Sequence, residues 1–173
     1  MVEFHLPMLG FAAFSGTGKT TLLSQIIPLL RAKGHRIGVI KHTHHNIDID
    51  KPGKDSYVLR KSGADQMILA SRYRTALIIE KADSTKEPEL QDVLDNLQTD
   101  SLDLVLVEGF KLAKINKIEL HRQALGKPYL HPNDPNIIAI AVEDKESKDF
   151  PIDSLDLNNP EQIADYIVKT LLS

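Results

Sequence analysis

The chain has 173 residues, with 21 Lys+Arg against 24 Asp+Glu, a net charge of −3 and no cysteine. This charge balance gives no global attraction to nucleic acid or an anionic membrane, and the absence of cysteine excludes disulfides and thiolate metal sites. The length suits one domain over residues 1–173; no apolar run approaches the ~18 residues that cross a bilayer, and Met1-Val2-Glu3 lacks the layout of a signal peptide, so a cytoplasmic location is expected.

Met8-Leu9-Gly10-Phe11-Ala12-Ala13-Phe14 is an almost unbroken apolar run, as in a strand buried on both faces of a parallel sheet. It leads into Ser15-Gly16-Thr17-Gly18-Lys19-Thr20, which meets the phosphate-loop pattern GxxxxGK[ST] except that Ala13 replaces the first glycine. Gly16 and Gly18 free the backbone to curl, so that N–H groups from Ser15 through Thr21 point at phosphate oxygens. Lys19 is then expected to reach the β- and γ-phosphates and the Thr20 hydroxyl to ligate Mg²⁺. Leu22, Leu23, Ile26, Ile27, Leu29 and Leu30 follow at helical spacing up to Gly34, with Pro28 expected to kink that helix.

Arg36-Ile37-Gly38-Val39-Ile40-Lys41 reads as a second buried strand, parallel to the first because a helix joins them. Its exit, Lys41-His42-Thr43-His44-His45, falls on the rim where ligands bind in open α/β sheets. Phosphate or partner contact, a transition-metal site completed by Asp48 or Asp50, and a plain solvated loop all fit that composition. Asp48, Asp50 or Asp55 is also a candidate to approach Mg²⁺ through a water. Arg60 and Lys61, with Lys41, Lys51 and Lys54, form the most basic local cluster, suited either to an anion or acidic partner or to solvent.

Gln66 to Ala70 and Thr75 to Ile79 are joined by only four residues, which forces an antiparallel hairpin, expected at the edge of the parallel sheet and covered by dimerisation. Glu87 to Leu97 reads as an amphipathic helix with Leu90, Val93, Leu94 and Leu97 inward. Leu102-Asp103-Leu104-Val105-Leu106-Val107-Glu108-Gly109 resembles a Walker B strand, whose terminal acid holds Mg²⁺ or its water opposite Thr20. Because the acid is Glu108, it has the reach to orient an attacking water instead. Asn116-Lys117-Ile118-Glu119 imitates a guanine-specifying motif but opens a strand, whereas base readers follow a strand's carboxyl end. Glu143-Asp144, after Ile137 to Val142, occupies such an end: a carboxylate there accepts the N1–H and 2-amino groups of guanine, a pairing that adenine lacks, against the alternative of an ordinary polar strand exit. Residues 126–136 read as an irregular loop, and Pro160 to Leu172 as an amphipathic helix.

The phosphate loop, Ile40-Lys41-His42-Thr43-His44-His45, Asp50-Lys51-Pro52-Gly53-Lys54-Asp55-Ser56-Tyr57 and Leu106-Val107-Glu108-Gly109-Phe110-Lys111 together resemble the molybdopterin-guanine dinucleotide biosynthesis protein B family over nearly the whole chain. The resemblance implies a three-layer α/β P-loop NTPase fold and a homodimer that binds GTP and Mg²⁺ and hydrolyses GTP slowly. It also implies an adapter role beside the guanylyltransferase that attaches GMP to molybdopterin, with molybdopterin or its guanine dinucleotide as a further candidate ligand. Carried onto matching positions, Gly16, Gly18, Lys19, Thr20 and Thr21 contact phosphates or Mg²⁺. Phe14 stands where the ParA and MinD type ATPases have an extra lysine. Lys19 and Glu108 are the catalytic candidates, and Arg60, Arg72 and Arg74 the candidate arginine fingers. A small-molecule kinase on the same fold is the alternative reading.

Overall fold

A computed structural model of the chain describes residues 2–43, 47, 49–81, 85–143 and 149–172. Two compact units emerge, Met1–His42 with Glu89–Ser173, and Thr43–Pro88.

The first unit is built on a six-stranded sheet. Its strands are β1 (Met8–Ala12), β2 (Ile37–Lys41), β5 (Leu104–Glu108), β6 (Lys117–Leu120), β7 (Ile137–Val142) and β8 (Asp153–Asp156), in spatial order β2-β5-β1-β6-β7-β8. Every pairing is parallel. β5 lies between β1 and β2, so these two strands run parallel without pairing directly. From β1 the chain builds first toward β2 and later toward β6, which makes the carboxyl end of β1 a topological switch point where a crevice opens for a ligand.

Helix α1 (Lys19–Ala32) and helix α4 (Pro160–Ile167) cover one face of the sheet. There Leu22, Ile26, Leu30, Ile163 and Ile167 meet Leu9, Phe11, Leu104, Leu106 and Ile118. The opposite face buries Val105 and Val107 against Leu90 and Leu94 of a short helix, α3 (Leu90–Leu94). Leu104 and Leu106 look one way and Val105 and Val107 the other, so β5 needs apolar residues throughout. Each such fully buried side chain contributes roughly 1.5–3 kcal/mol of transfer free energy.

Several element ends follow from local chemistry. α1 runs unbroken through Pro28 and stops at Gly34, whose N–H donates to the Arg31 carbonyl at φ 93° while His35 N donates to Leu30 O. α4 starts where the Asn159 side chain accepts from Gln162 N at 3.0 Å, with Pro160 in the first turn. α3 is shorter than the expected Glu87–Leu97 helix: Glu89, just after Pro88, is still extended at φ −81° and ψ 146°, and single-turn bonds from Asn96 and Leu97 end it. β8 had no counterpart in the expected elements, because Asp-Ser-Leu-Asp carries a single buried apolar side chain, Leu155.

The second unit contains helix α2 (Asp55–Lys61) and an antiparallel pair, β3 (Gln66–Ala70) and β4 (Thr75–Ile79), in register from Gln66↔Ile79 to Ala70↔Thr75. The hairpin forms as expected, but as a separate two-stranded sheet and not as an edge of the parallel one. The tight turn, closed by Ser71 N donating to Arg74 O at 2.8 Å, fixes pairing between the two strands only. Nothing in such a turn specifies a third strand. Arg60 anchors this unit: it is 8% exposed and donates to Asp50 Oδ1 at 2.5 Å and Glu80 Oε1 at 2.8 Å. The hydrogen bond from Arg60 holds the Asp50 carboxyl below its ordinary range, against the opposing effect of burial.

Candidate phosphate and base site

The phosphate loop joins β1 to α1, and its geometry follows from where its carbonyls find partners. Gly16 and Gly18 sit at φ 81° and 99°, with Gly18 as the residue that caps α1. These left-handed positions turn the intervening carbonyls outward, leaving N–H groups to face an anion. Carbonyls on either side of this segment have donors. Thr17, itself buried, donates through Oγ1 to Phe14 O at 2.8 Å, and Gly18 O accepts from Leu22 N at 2.9 Å. Ser15, Gly16, Thr20 and Thr21 are exposed along the mouth of the loop. Ala13, in the place of the usual first glycine, is buried.

Lys19 folds back over the loop, donating from Nζ to Ala13 O at 3.2 Å and Phe14 O at 3.4 Å. Burial depresses its ammonium below the ordinary lysine range; Glu108 opposes this, and Lys111 and Lys41 reinforce it. Lys19 thus feels two further lysines, Lys111 and Lys41, and a single opposing carboxylate, Glu108. A site that crowds ammonium groups is short of negative charge.

That carboxylate stands at the end of β5. The Thr20 hydroxyl donates to Glu108 Oε1 at 3.0 Å, and Lys41, in register beside Glu108, places Nζ 3.4 Å from Oε2 and 3.5 Å from Thr20 Oγ1. A hydroxyl and a carboxylate oxygen together suit Mg²⁺, which takes one or two protein ligands and keeps the remainder for phosphate and water. The Lys41 ammonium between them shows that a cation is already favourable there. Among the described residues no three His, Asp or Glu side chains converge as a transition-metal site.

The backbone beyond Glu108 is held by a close approach. Gly109 has φ 96°, and a Cβ on it would stand 2.7 Å from His42 Cβ and 3.2 Å from His42 O. His42 N donates to Glu108 O at 2.8 Å, and its ring stacks on Phe110 at 4.7 Å between centroids. His42 therefore locks the β5 exit onto the β2 exit. His44, His45, Asp48 and Asp144 lie outside the described residues. Lys54 and Arg60 belong to the second unit, Lys54 exposed just before α2 and Arg60 engaged with Asp50 and Glu80.

The next rim segment follows β6. Asn116-Lys117-Ile118-Glu119 holds a loop in place: Lys117 is buried and pairs with Asp134 at 2.7 Å, and the buried Glu119 accepts from Leu130 N at 2.7 Å and His131 N at 2.8 Å. Two short 3₁₀ turns, Gln123–Leu125 and His131–Asn133, lie within residues 122–136. Just past β6, Arg122 donates from Nε to Thr17 O at 2.9 Å and from Nη1 to Glu143 Oε1. Sequence reading missed Arg122, although a cation immediately past a strand's carboxyl end was the available signal.

The sequence and the fold both match known proteins. A family model described as molybdopterin guanine dinucleotide synthesis protein B matches residues 8–143. The chain is 50% identical over 165 residues to the molybdopterin-guanine dinucleotide biosynthesis adapter protein of Escherichia coli K12, covering 95% of this chain and 93% of that protein. It is 44% identical over 163 residues to the protein of the same name from Haemophilus influenzae, covering 94% and 88%. A solved structure of molybdopterin-guanine biosynthesis protein B superposes with a TM-score of 0.74 at 26% identity, covering 96% of this chain and 99% of that one. Bacillus subtilis MobB, at 21% identity and a TM-score of 0.71 over 96% and 98%, shares the fold. With a phosphate loop at the switch point of a parallel sheet, and relatives that match over nearly its full length, the chain belongs to the molybdopterin guanine dinucleotide synthesis protein B family.

Proposed function

We propose that this chain is a GTP-responsive adapter in molybdopterin guanine dinucleotide synthesis, binding GTP with Mg²⁺ in the phosphate loop and acting beside the guanylyltransferase. The observation that carries this reading is the convergence of Lys19, Thr20, Lys41 and Glu108 at the mouth of the loop. The relatives' shared description as biosynthesis adapters supports the biological setting.

In this reading the loop N–H groups take the α- and β-phosphates, and the Lys19 ammonium leaves the Ala13 and Phe14 carbonyls for the β- and γ-phosphate oxygens. Thr20 Oγ1 and Glu108 would hold the Mg²⁺, and Lys41 turns from Glu108 toward the γ-phosphate. When bound, Mg²⁺ offsets phosphate charge. Glu108 then accepts a hydrogen bond from the attacking water and fixes its direction. Glu143, and Asp144 beside it, read the guanine edge.

Hydrolysis in this arrangement is slow. Arg31 sits at the far end of α1, Arg36 is engaged by Asp103 and Arg122 by Thr17 and Glu143. None of these three serves as the arginine that adds ~10³–10⁵ to phosphoryl transfer, and the candidate fingers Arg60, Arg72 and Arg74 act only across a dimer or once a partner is bound. Function therefore rests on the nucleotide-bound conformation. Pairing of two copies is part of the proposal, supported by Ile68, 66% exposed, and its cross-strand partner Leu77 on the hairpin. No helix among the described residues is long and apolar enough to cross a membrane, which accords with a cytoplasmic adapter.

The test is the affinity for purified guanylyltransferase, measured with a non-hydrolysable GTP analogue and with GDP. Binding at least about tenfold tighter with the analogue is expected, about 1.4 kcal/mol of differential interaction. Equal affinity with both nucleotides would remove the γ-phosphate dependence.

A further inference from the structure

We propose that Arg122 is a positioning residue that couples base readout to phosphate binding, by bracing the phosphate loop and the Glu143 carboxylate with one guanidinium. The proposal rests on the reading of Glu143 as a guanine acceptor, and it adds a residue and a linkage that this reading does not contain.

The sheet fixes where Arg122 starts. His121 N donates to Ala141 O at 3.0 Å, continuing the parallel ladder one residue past β6, and Arg122 remains extended at φ −116°. Its side chain therefore leaves from a rigid strand end and spans two segments distant in sequence. Nε donates at 2.9 Å to Thr17 O, and Nη1 donates to Glu143 Oε1. Nη2 lies beside the residue that caps α1, where a Cβ on Gly18 would stand 3.8 Å from it.

Each contact has a consequence. A phosphate loop works only if its N–H groups converge, which sends carbonyls outward where they need donors. Thr17 O is such a carbonyl, and a charged donor on it both holds the peptide in the anion-binding orientation and adds positive potential beneath the loop. Glu143 is an exposed side chain with several rotamers, and a carboxylate that must meet two donors on one base edge needs a fixed plane. Arg122 occupies one lone pair of one oxygen, leaving the others for the base. Because the guanidinium is planar and rigid, it sets the orientation of both groups together, as a lysine ammonium does not.

The experiment measures affinities of the full chain for Mg²⁺ with GTP, inosine triphosphate and tripolyphosphate. Inosine triphosphate lacks only the 2-amino group, so its ratio to GTP reads that contact, while tripolyphosphate reads the loop alone. In the wild type, GTP is expected to bind about tenfold or more tightly than inosine triphosphate. Arg122→Ala is expected to cut that ratio to about twofold or less and to weaken tripolyphosphate several-fold. Arg122→Lys, which keeps the charge, is expected to restore tripolyphosphate affinity without restoring the ratio; a merely structural role would move both together. In the double variant Arg122→Ala/Glu143→Gln the ratio is expected to fall no further than in either single variant.

Glu143→Gln separates the two ways of failing. If it keeps the wild-type ratio, the base reading falls and the proposal with it. If it loses the ratio while the Arg122 variants keep both ratio and tripolyphosphate affinity, the base reading stands and the coupling alone is overturned. Should Arg122→Ala not fold, Arg122→Lys decides: an undiminished ratio overturns the proposal.

Discussion

Lys19→Ala is expected to weaken nucleoside triphosphate binding by at least about 100-fold while leaving the melting temperature of the nucleotide-free protein unchanged or raised. The binding loss follows from deleting charge-assisted hydrogen bonds to the β- and γ-phosphates, each worth roughly 1.5–3 kcal/mol. The effect on stability follows from the depressed ammonium. A lysine whose folded pKa lies below its unfolded value is harder to protonate in the native state, so its charge opposes folding at neutral pH, and this cost is relieved only as pH rises past the folded pKa. What Lys19 gives the fold in return is two hydrogen bonds to loop carbonyls, at 3.2 and 3.4 Å. Calorimetric titration and thermal melts measure the two quantities separately. In the wild type, ligand at 100 times its dissociation constant adds about 2.7 kcal/mol of stability, and at the same ligand concentration the variant is expected to gain no more than about 0.4 kcal/mol. Retained affinity would mean that triphosphate binds somewhere other than this loop.

Gly109→Ala is expected to destabilise the protein by about 2–4 kcal/mol, combining the strain of a left-handed residue with overpacking. The methyl would meet His42 Cβ at 2.7 Å and its backbone beyond, on a segment that is itself tied to Glu108 O by a 2.8 Å hydrogen bond. Neither side has a flexible tip that can yield. Gly34→Ala provides the comparison: it shares a positive φ, 93°, but nothing lies within 4 Å of the place its methyl would take, so a cost of only about 1 kcal/mol is expected. Denaturant midpoints compare the two directly. Because Gly109 sets the exit of β5, the Ala variant should also move the Glu108 carboxylate off the Thr20 hydroxyl and weaken the dependence of binding on Mg²⁺. Equal destabilisation at positions 34 and 109 would show that the packing on His42 carries no energy.

The parts of the fold that were legible in the sequence are those whose cause is local. Ala13 to Thr20 specify a loop because glycine spacing, lysine and hydroxyl lie together between a buried strand and an amphipathic helix. β5 was legible because burial on both faces leaves it no polar residue before Glu108. Gly34 marked the end of α1 for the same kind of reason, a left-handed turn needed at a single position.

Where the cause is distant, the sequence was silent. Arg122 and Thr17 are 105 residues apart: a cation just past β6 was visible in the sequence, but nothing in either segment announces that its guanidinium will meet a carbonyl of the phosphate loop. β8 is recruited by the edge of β7 through backbone pairing, with Leu155 as its one buried apolar side chain. The hairpin was recognised from its short turn, yet its independence from the parallel sheet depends on strand edges that turn chemistry does not address. Lys117 and Glu119 drew notice as an imitation of a base-reading motif, and strand position alone argued against it. Their partners, Asp134 and the N–H groups of Leu130 and His131, show what holds those side chains.

The most direct test of the central claim is calorimetric titration with non-hydrolysable GTP and ATP analogues, each with and without Mg²⁺. Tight, Mg²⁺-dependent binding of the guanine analogue, at least about tenfold over the adenine analogue, is the expected result. Binding that ignores Mg²⁺, or that favours adenine, would contradict it, the first by removing the Thr20–Glu108 cation site and the second by removing guanine readout at the end of β7.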